Sequence, residues 1–344
     1  MNALNRDDIP GQSAEAFAQH AGYRRMFAPE RLSIGIFLPQ KAYRDDMSVL
    51  AGQAELVKYI DAAGFAAVWV RDVPLFDPLF GDAGQLFDPF AYLAYLAAQT
   101  QSVALATGSA IFSLRHPMDL AKAAFSIDQL SGGRLVLGIA SGDRAIEFPA
   151  YGLEHEARGE RFADAVHYFR RLYAKGPLTI DTRLGGFTQA ECLPKPVQGS
   201  VPLIVTGASR QSLDWVAQYA DGWLTYPEAT HHGAGPLRLA SKIQAWRKLI
   251  PDGGFRPHMT NDWIDLVDDP DFPRTPLHGG YVLRTGRKGL IELLYEWQAA
   301  GVNHGVLGFH LADRPTHDII QELAEAVLPL FPAHQGVTPA SIRW

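Results

Sequence analysis

The sequence predicts an α/β fold, a single (β/α)8 TIM barrel, and three observations carry the prediction. Apolar runs of strand length recur along the chain. They are apolar throughout rather than alternating, as in strands of a parallel sheet buried on both faces. A segment with helical signals follows each run, and strands alternating with helices build a closed barrel or an open doubly wound sheet. The chain has 344 residues, and a barrel of about 250 residues with insertions reaches that length as one domain.

The strands are expected at residues 32–39 (LSIGIFLP), 66–71 (AAVWVR), 103–108 (VALATG), 135–140 (LVLGIA), 202–206 (PLIVT), 222–226 (GWLTY) and 305–310 (GVLGFH). One more is expected within 257–267 (PHMTNDWIDLV), which brings the set to the eight a barrel needs. Between them, Asp119 can cap a helix that runs to Leu130 and stops at Gly132 and Gly133. Phe162, Val166, Phe169 and Tyr173 recur at spacings of four, three and four, one face of a helix. Leu213, Val216, Ala217 and Ala220 repeat the pattern after Ser209, and a helix over 287–300 ends at Gly301. Residues 1–30 read as an N-terminal extension to a barrel over 31–344. Two stretches break the rhythm and read as insertions. Residues 175–200 are rich in Gly and Pro with hairpin character, and residues 227–256 hold a helix at 237–250 between loops.

Composition removes several function classes. Hydrophobic residues make up 47% and charged residues 20%, which supports a large core. Lys and Arg number 31 against 37 Asp and Glu, a net charge of −6. An acidic chain lacks the basic face that nucleic acid requires. The lone Cys192 cannot form an internal disulfide, which fits a cytoplasmic, reducing setting. The acidic Asp7 and Asp8 argue against a signal peptide, and no apolar run approaches membrane-spanning length.

Common chemical motifs are missing. No G-x-G-x-x-G follows a strand, and there is no phosphate loop ending in GK[ST], no G-x-S-x-G elbow and no H-E-x-x-H. His231 and His232 are adjacent, poor spacing for one metal, so no metal is expected.

Residues 88–151 read DPFAYLAYLAAQTQSVALATGSAIFSLRHPMDLAKAAFSIDQLSGGRLVLGIASGDRAIEFPAY. A strand ends in a small-residue pair, then come R-H-P, a helix, D-x-L-S-x-G-R and a strand with G-x-x-x-G. This order resembles the bacterial luciferase-like family of flavin- and deazaflavin-dependent oxidoreductases. A second block, 202–223 (PLIVTGASRQSLDWVAQYADGW), resembles the fifth strand, following helix and sixth strand of that family. AGFAAVWVRD and GVNHGVLGFH resemble its second and eighth strands, so the likeness covers roughly residues 32–331. Each motif alone is weak; the ordered set is specific.

The resemblance implies a ligand at the C-terminal ends of the strands, where barrel enzymes keep their sites. It places the FMN phosphate at the turn after the fifth strand, and the residues there suit an anion. Thr206, Gly207, Ala208 and Ser209 let the backbone approach closely, the helix start offers free N–H groups, and Ser209 and Ser212 add hydroxyls. The alternative is a plain helix cap by Ser209. Arg158 matches a family arginine that pairs with the phosphate, and a guanidinium makes bidentate bonds to phosphate oxygens. The nearby Arg161 leaves that assignment ambiguous. By the same resemblance Gly108 and Ser109 run along the flavin ring through a non-prolyl cis peptide, and Ala140 and Ser141 line the same cavity.

Catalytic candidates are Arg71, Asp72 and His310. Arg71 and Asp72 end the second strand, where luciferase has a catalytic histidine soon after and this chain reads Arg71-Asp72-Val73-Pro74. That departure argues against aldehyde chemistry. Asp72 suits an acid/base role or an ion pair holding Arg71. Arg71 suits the flavin ring or the substrate, and a structural pair is the alternative. His310 ends the last strand, and Asp143, Arg144 and Glu147 follow the fourth. His116, Asp128 and Arg134 read as structural, and Trp69, Trp215 and Trp223 as core. The loops 77–87 and 227–235, with Phe76, Phe80, Phe87 and Tyr226, are expected to set specificity.

The resemblance then implies a two-component monooxygenase. Reduced FMN from a separate flavin reductase reacts with O2, and a small organic substrate is oxygenated. Two alternatives stand beside it: hydride transfer with the deazaflavin cofactor, to which Arg71, Arg144, Arg158 and Arg210 offer a basic mouth, and a flavin-binding protein without turnover. A homo-oligomer is expected from the family.

Overall fold

In the computed structural model, residues 9–39, 52–77 and 87–334 are described. Eight parallel strands form the barrel: β1 (Ser33–Leu38), β2 (Ala67–Val70), β3 (Ala104–Ile111), β4 (Leu135–Ala140), β5 (Leu203–Thr206), β6 (Gly222–Thr225), β7 (His258–Leu266) and β8 (His304–Gly308). Each pairs with the next in sequence. The β8–β1 pairing, with Ile36 opposite Leu307, closes the ring and rules out an open sheet. The expected strand within 257–267 is the longest of the eight.

Short and long helices alternate with the strands. In chain order they are α1 (Ala21–Met26), α2 (Gln53–Ala63), α3 (Pro89–Gln99), α4 (Pro117–Ser131), α5 (Glu147–Ala150), α6 (Arg158–Arg171), α7 (Leu213–Tyr219), α8 (Ala234–Arg247), α9 (Arg287–Ala300) and α10 (Thr316–Ala326). The cap of α4 is His116 rather than Asp119. Its Nδ1 accepts the Met118 N–H at 3.1 Å, and Pro117 takes the first helical position, where a missing N–H costs nothing. Gly132 ends this helix at φ +70°, as its sequence position implied.

The residues around 178–190 form an antiparallel hairpin, Leu178–Thr182 with Gly185–Ala190. The second stretch expected as an insertion carries α8, which is the crossover helix from β6 to β7 and packs between α7 and α9. An unforeseen pair of strands follows β7. Val282–Thr285 runs parallel to the second half of β7, and Thr275–Leu277 pairs antiparallel with it.

Two apolar layers result. Outward side chains of the strands meet the helices, while an inner cluster fills the barrel with Trp69, Ala104, Ala106, Val136, Ile204, Met259 and Val306. Phe17, Tyr23, Met26 and Phe27 of the N-terminal segment join that inner cluster and close the N-terminal end. A buried chain of hydrogen bonds fixes this floor. Trp69 Nε1–H donates to His304 Nε2 at 3.0 Å, so the ring proton sits on Nδ1 and points to Ser33 Oγ at 2.7 Å. Ser33 passes its own proton to the Met26 carbonyl at 2.6 Å. Burial holds His304 down to about 3, so the ring stays neutral. With the lower end sealed, open space remains at the C-terminal ends of the strands.

Candidate active site

A cavity of about 790 Å³ occupies that end, a size typical of ligand pockets. Its wall includes Arg71, Asp72, Gly108, Ser109, Ala140, Ser141, Arg158, Thr206, Gly207, Ala208 and Ser209 from the expected set. Ser212 and His310 are not on it.

One corner is built from two elements. After β5, Gly207, Ser209 and Arg210 all adopt positive φ, at +56°, +44° and +59°. The Gly207 N–H donates to the Leu224 carbonyl at 2.7 Å, and Trp223 Nε1–H braces the Gly207 carbonyl at 2.8 Å. A Cβ on Gly207 would meet only Tyr226 Cε2, at 3.8 Å, so the glycine leaves the space above it open. The second element is the start of α6. A Cβ on Gly159 would lie 2.8 Å from Arg210 Cβ, and Gln211 Nε2 donates to the Gly159 carbonyl at 2.7 Å. Glycine in a first helical turn costs helix stability; here it lets α6 and the turn touch.

Arg158 rises from the same corner, half-buried, with Nη1 on the His155 carbonyl at 2.8 Å and no carboxylate partner among the described residues. Its Nε is buried without an acceptor. Arg161 is committed elsewhere, with Nε on the Ser113 carbonyl at 2.6 Å, and it is not on the cavity wall, whereas Arg158 is. The serines differ from expectation. Ser209 Oγ donates to the Thr206 carbonyl at 2.7 Å, and Ser212 caps α7 by accepting the Trp215 N–H at 3.2 Å. Ser209 has spent its hydroxyl proton on its own turn, and Ser212 does not line the cavity, so the corner's donors are Arg158 and the backbone of the turn. The cap of α7 is therefore Ser212 rather than Ser209. This donor set fits a phosphate monoester.

The floor beside that corner is the end of β3. The Gly108–Ser109 peptide is cis, and the β3–β4 register shifts between Thr107 and Ala110. A Cβ on Gly108 would come 3.0 Å from Phe37 and 3.2 Å from Trp69, so the strand packs onto the barrel's inner aromatics. Ser109 Oγ hydrogen bonds Thr206 Oγ1, tying the floor to the corner.

Asp72 is 3% exposed and is committed to Arg115 of the R-H-P segment, with Nη2 on Oδ1 at 2.8 Å and a second bond to Oδ2. It also accepts the Ile111 N–H at 2.8 Å, and Arg115 reaches Asp88, the cap of α3, at 3.1 Å. Burial pushes the Asp72 carboxyl up while Arg115 opposes it. Asp72 thus joins the ends of β2 and β3, and its partner is Arg115, not Arg71. Arg71 instead lies over the Trp263 ring at 5.7 Å. His310 packs edge-on against the same indole at 4.1 Å and acts as its support.

The expected structural residues hold structure. Arg134 donates to the carbonyls of Ala97, Thr100, Val103 and Ser131, and burial lowers it to about 10. Asp128 accepts the Val197 N–H at 2.8 Å, and His116 reaches the Leu184 carbonyl at 2.5 Å. His231 and His232 meet edge-to-face, with ring centroids 4.5 Å apart. Tyr226 lines the cavity, Phe76 and Phe87 do not, and Phe80 lies outside the described residues.

Three wall residues, Asn261, Asp262 and Trp263 on β7, escaped the sequence reading. The available signal was a polar pair inside an apolar run. Asp262 accepts Thr230 Oγ at 2.7 Å and the Trp263 N–H at 2.9 Å, and burial pushes it up to about 7. Glu147, beside Arg144, is likewise pushed up to about 7 by burial.

Residues 32–247 match the family model described as luciferase-like monooxygenase. Relatives include an F420-dependent hydroxymycolic acid dehydrogenase of Mycobacterium tuberculosis, 26% identical over 57% of this chain and 53% of its own. Another is the oxygenase component of a flavin-dependent trigonelline monooxygenase of Acinetobacter baylyi, 28% identical over 49% of this chain and 44% of its own. The matched region spans 64% or less of the curated relatives considered. In three dimensions the monooxygenase RslO1 from Streptomyces bottropensis superposes with a TM-score of 0.71, at 18% identity, over 87% of this chain and 99% of that one.

Proposed function

The chain belongs to the luciferase-like monooxygenase family of oxidoreductases, and from that membership we propose that it is the oxygenase of a two-component system using reduced FMN and O2. The observation that carries the FMN assignment is the corner where α6 meets the turn after β5. Arg158 and the backbone of residues 208–210 line this corner, and Arg158 has no acidic partner among the described residues, a donor set suited to one phosphate.

Bound reduced flavin would supply the two electrons that activate dioxygen. The protein's part is placement. The corner would hold the phosphate, and the β3 floor at Gly108 and Ser109 would support the ring. Phe37 and Trp263 exclude water from the space opposite, and Arg71 brings positive charge to its edge. A separate reductase is the expected electron donor, as the oxygenase-component relative suggests. The second reading is hydride transfer with the deazaflavin F420. Arg144 and Arg210 also line the cavity and widen the basic corner, and the dehydrogenase relative uses that cofactor.

Anaerobic titration with reduced FMN, oxidised FMN and F420 separates the readings. Tight FMN binding, weakened roughly 30-fold by Arg158→Ala through loss of about 2 kcal/mol of charge-assisted bonding, is the expected result. O2 uptake with a reductase present, coupled to substrate oxygenation, distinguishes an oxygenase from a binding protein. Preference for F420 refutes the FMN assignment, and binding of none of the three refutes both.

A further inference from the structure

The β7 wall holds a polar side chain that no described residue hydrogen bonds. Asn261 lines the cavity, is 8% exposed, and its carboxamide makes no hydrogen bond with any described residue. It lies two residues from Met259 and from Trp263, both members of the inner cluster, so its side chain shares their inward face. Elsewhere on the cavity wall Asp262 is committed to Thr230, Thr206 to Ser109 and Asp72 to Arg115. The carboxamide opens onto the cavity rather than being sealed in the core, so a ligand bound there can pair with it.

Its setting limits the ligand. Trp263 beside it is wedged into place. Phe37 lies at 5.0 Å, His310 at 4.1 Å, and a Cβ on Gly308 would stand only 2.1 Å from the indole. That makes a rigid aromatic wall suited to a flat ring. Around the barrel β7 is four strands from β3, so it faces the floor across the cavity. A carboxamide presents one donor edge and one acceptor edge. A ketone would satisfy only the donor, and a carboxylate would repel the carbonyl. A cyclic amide, with N–H and C=O side by side, satisfies both.

We propose that Asn261 is the specificity-determining residue of this site and that it selects a planar, uncharged ring bearing a cyclic-amide edge, held against Trp263. The proposal rests on the reading that the cofactor occupies the Arg158 corner and the β3 floor, which leaves the β7 wall to the substrate.

The test compares 2-quinolinone with naphthalene, two rings of like outline of which only the first carries the amide edge. Both are titrated into the protein with and without FMN. The wild type should bind 2-quinolinone at least about tenfold more tightly, the worth of one satisfied pair. Asn261→Leu should remove that preference while naphthalene affinity stays within about twofold, and Asn261→Asp, nearly isosteric, should remove it as well. FMN affinity should be unchanged in both variants. Equal binding of the two rings by the wild type, absence of 2-quinolinone binding, or a preference surviving in Asn261→Leu overturns the proposal. So does a fall in FMN affinity, which would assign the amide to the cofactor. Failure of FMN to bind the wild type would sink the cofactor reading alone, because the ring preference is also measured without it.

Discussion

Replacing Gly159 by Ala adds one methyl group at the point where α6 meets the turn after β5. That methyl would stand 2.8 Å from Arg210 Cβ, whereas ordinary contact begins at 3.4 Å. Arg210 Cβ is fixed to a backbone braced by the Gln211 N–H on the Ala208 carbonyl and by Gln211 Nε2 on Gly159 itself. Relief therefore requires α6 and the turn to part by about 0.6 Å. Hydrogen bonds weaken beyond about 3.2 Å, so one charge-assisted bond worth about 1.5–3 kcal/mol should be lost. FMN affinity should fall roughly 10- to 150-fold. The overpacking costs about 1–3 kcal/mol and alanine's preference over glycine in a helix returns about 1 kcal/mol, so the melting temperature should fall only slightly. Riboflavin, which lacks the phosphate, should bind as before. Fluorescence titrations with both flavins, beside a thermal melt, make the comparison. A parallel fall for FMN and riboflavin, or no change for either, would refute the phosphate corner.

Three further outcomes follow from the same geometry. Asp72→Asn takes from the half-buried Arg115 its buried charge partner, leaving only Asp88, and should destabilise the fold by about 1–3 kcal/mol; a melt shift no larger than that of a surface control would count against it. Asp262→Asn reports on a carboxyl raised from 3.8 to about 7. Between those pH values the folded wild type holds a proton that the unfolded chain has released, so wild-type stability falls as pH rises through that window and is level above it. The variant should gain on the wild type from pH 4 to 7, by at most about 4 kcal/mol at ~1.4 kcal/mol per pH unit, and a gap constant with pH would overturn this. Gly308→Ala must displace Trp263, costing about 1–3 kcal/mol and altering tryptophan emission; an unchanged spectrum and melt would contradict the wedged wall.

The barrel was legible because its strands are apolar on both faces, and that pattern survives in a single sequence. The turn after β5 and the end of β3 were legible for a related reason: close approach there demands small residues, and small residues in order are easy to see. What failed was the identity of partners. Asp72 sits beside Arg71 in sequence but meets Arg115, which comes from the loop after β3. Ser209 and Ser212 carry the hydroxyls an anion would want, yet one closes its own turn and the other caps α7. Gly159 drew no notice in the sequence, and its purpose appears only once Arg210 is placed against it. Pairings across the barrel are long-range facts, and strand-end position does not encode them.

The two halves of the cavity therefore differ in kind. The half built by β3, β5 and α6 consists of backbone, small residues and the arginines Arg158 and Arg210, a donor set for an anion. The half built by β7 consists of side chains: an unpaired amide, a buried carboxyl and an indole fixed from three sides. Side chains can be exchanged without moving the barrel, whereas the glycine contacts cannot. Selection for a particular substrate is consequently expected on β7, which is also the strand whose polar residues interrupt an apolar run. The neutral Asn261 and the Asp262–Thr230 hydrogen bond argue that this half receives an uncharged polar edge rather than a second anion. An anionic ligand would have to approach Asp262 in the pH range where it ionises, and the Arg158 corner is the better-paired place for negative charge.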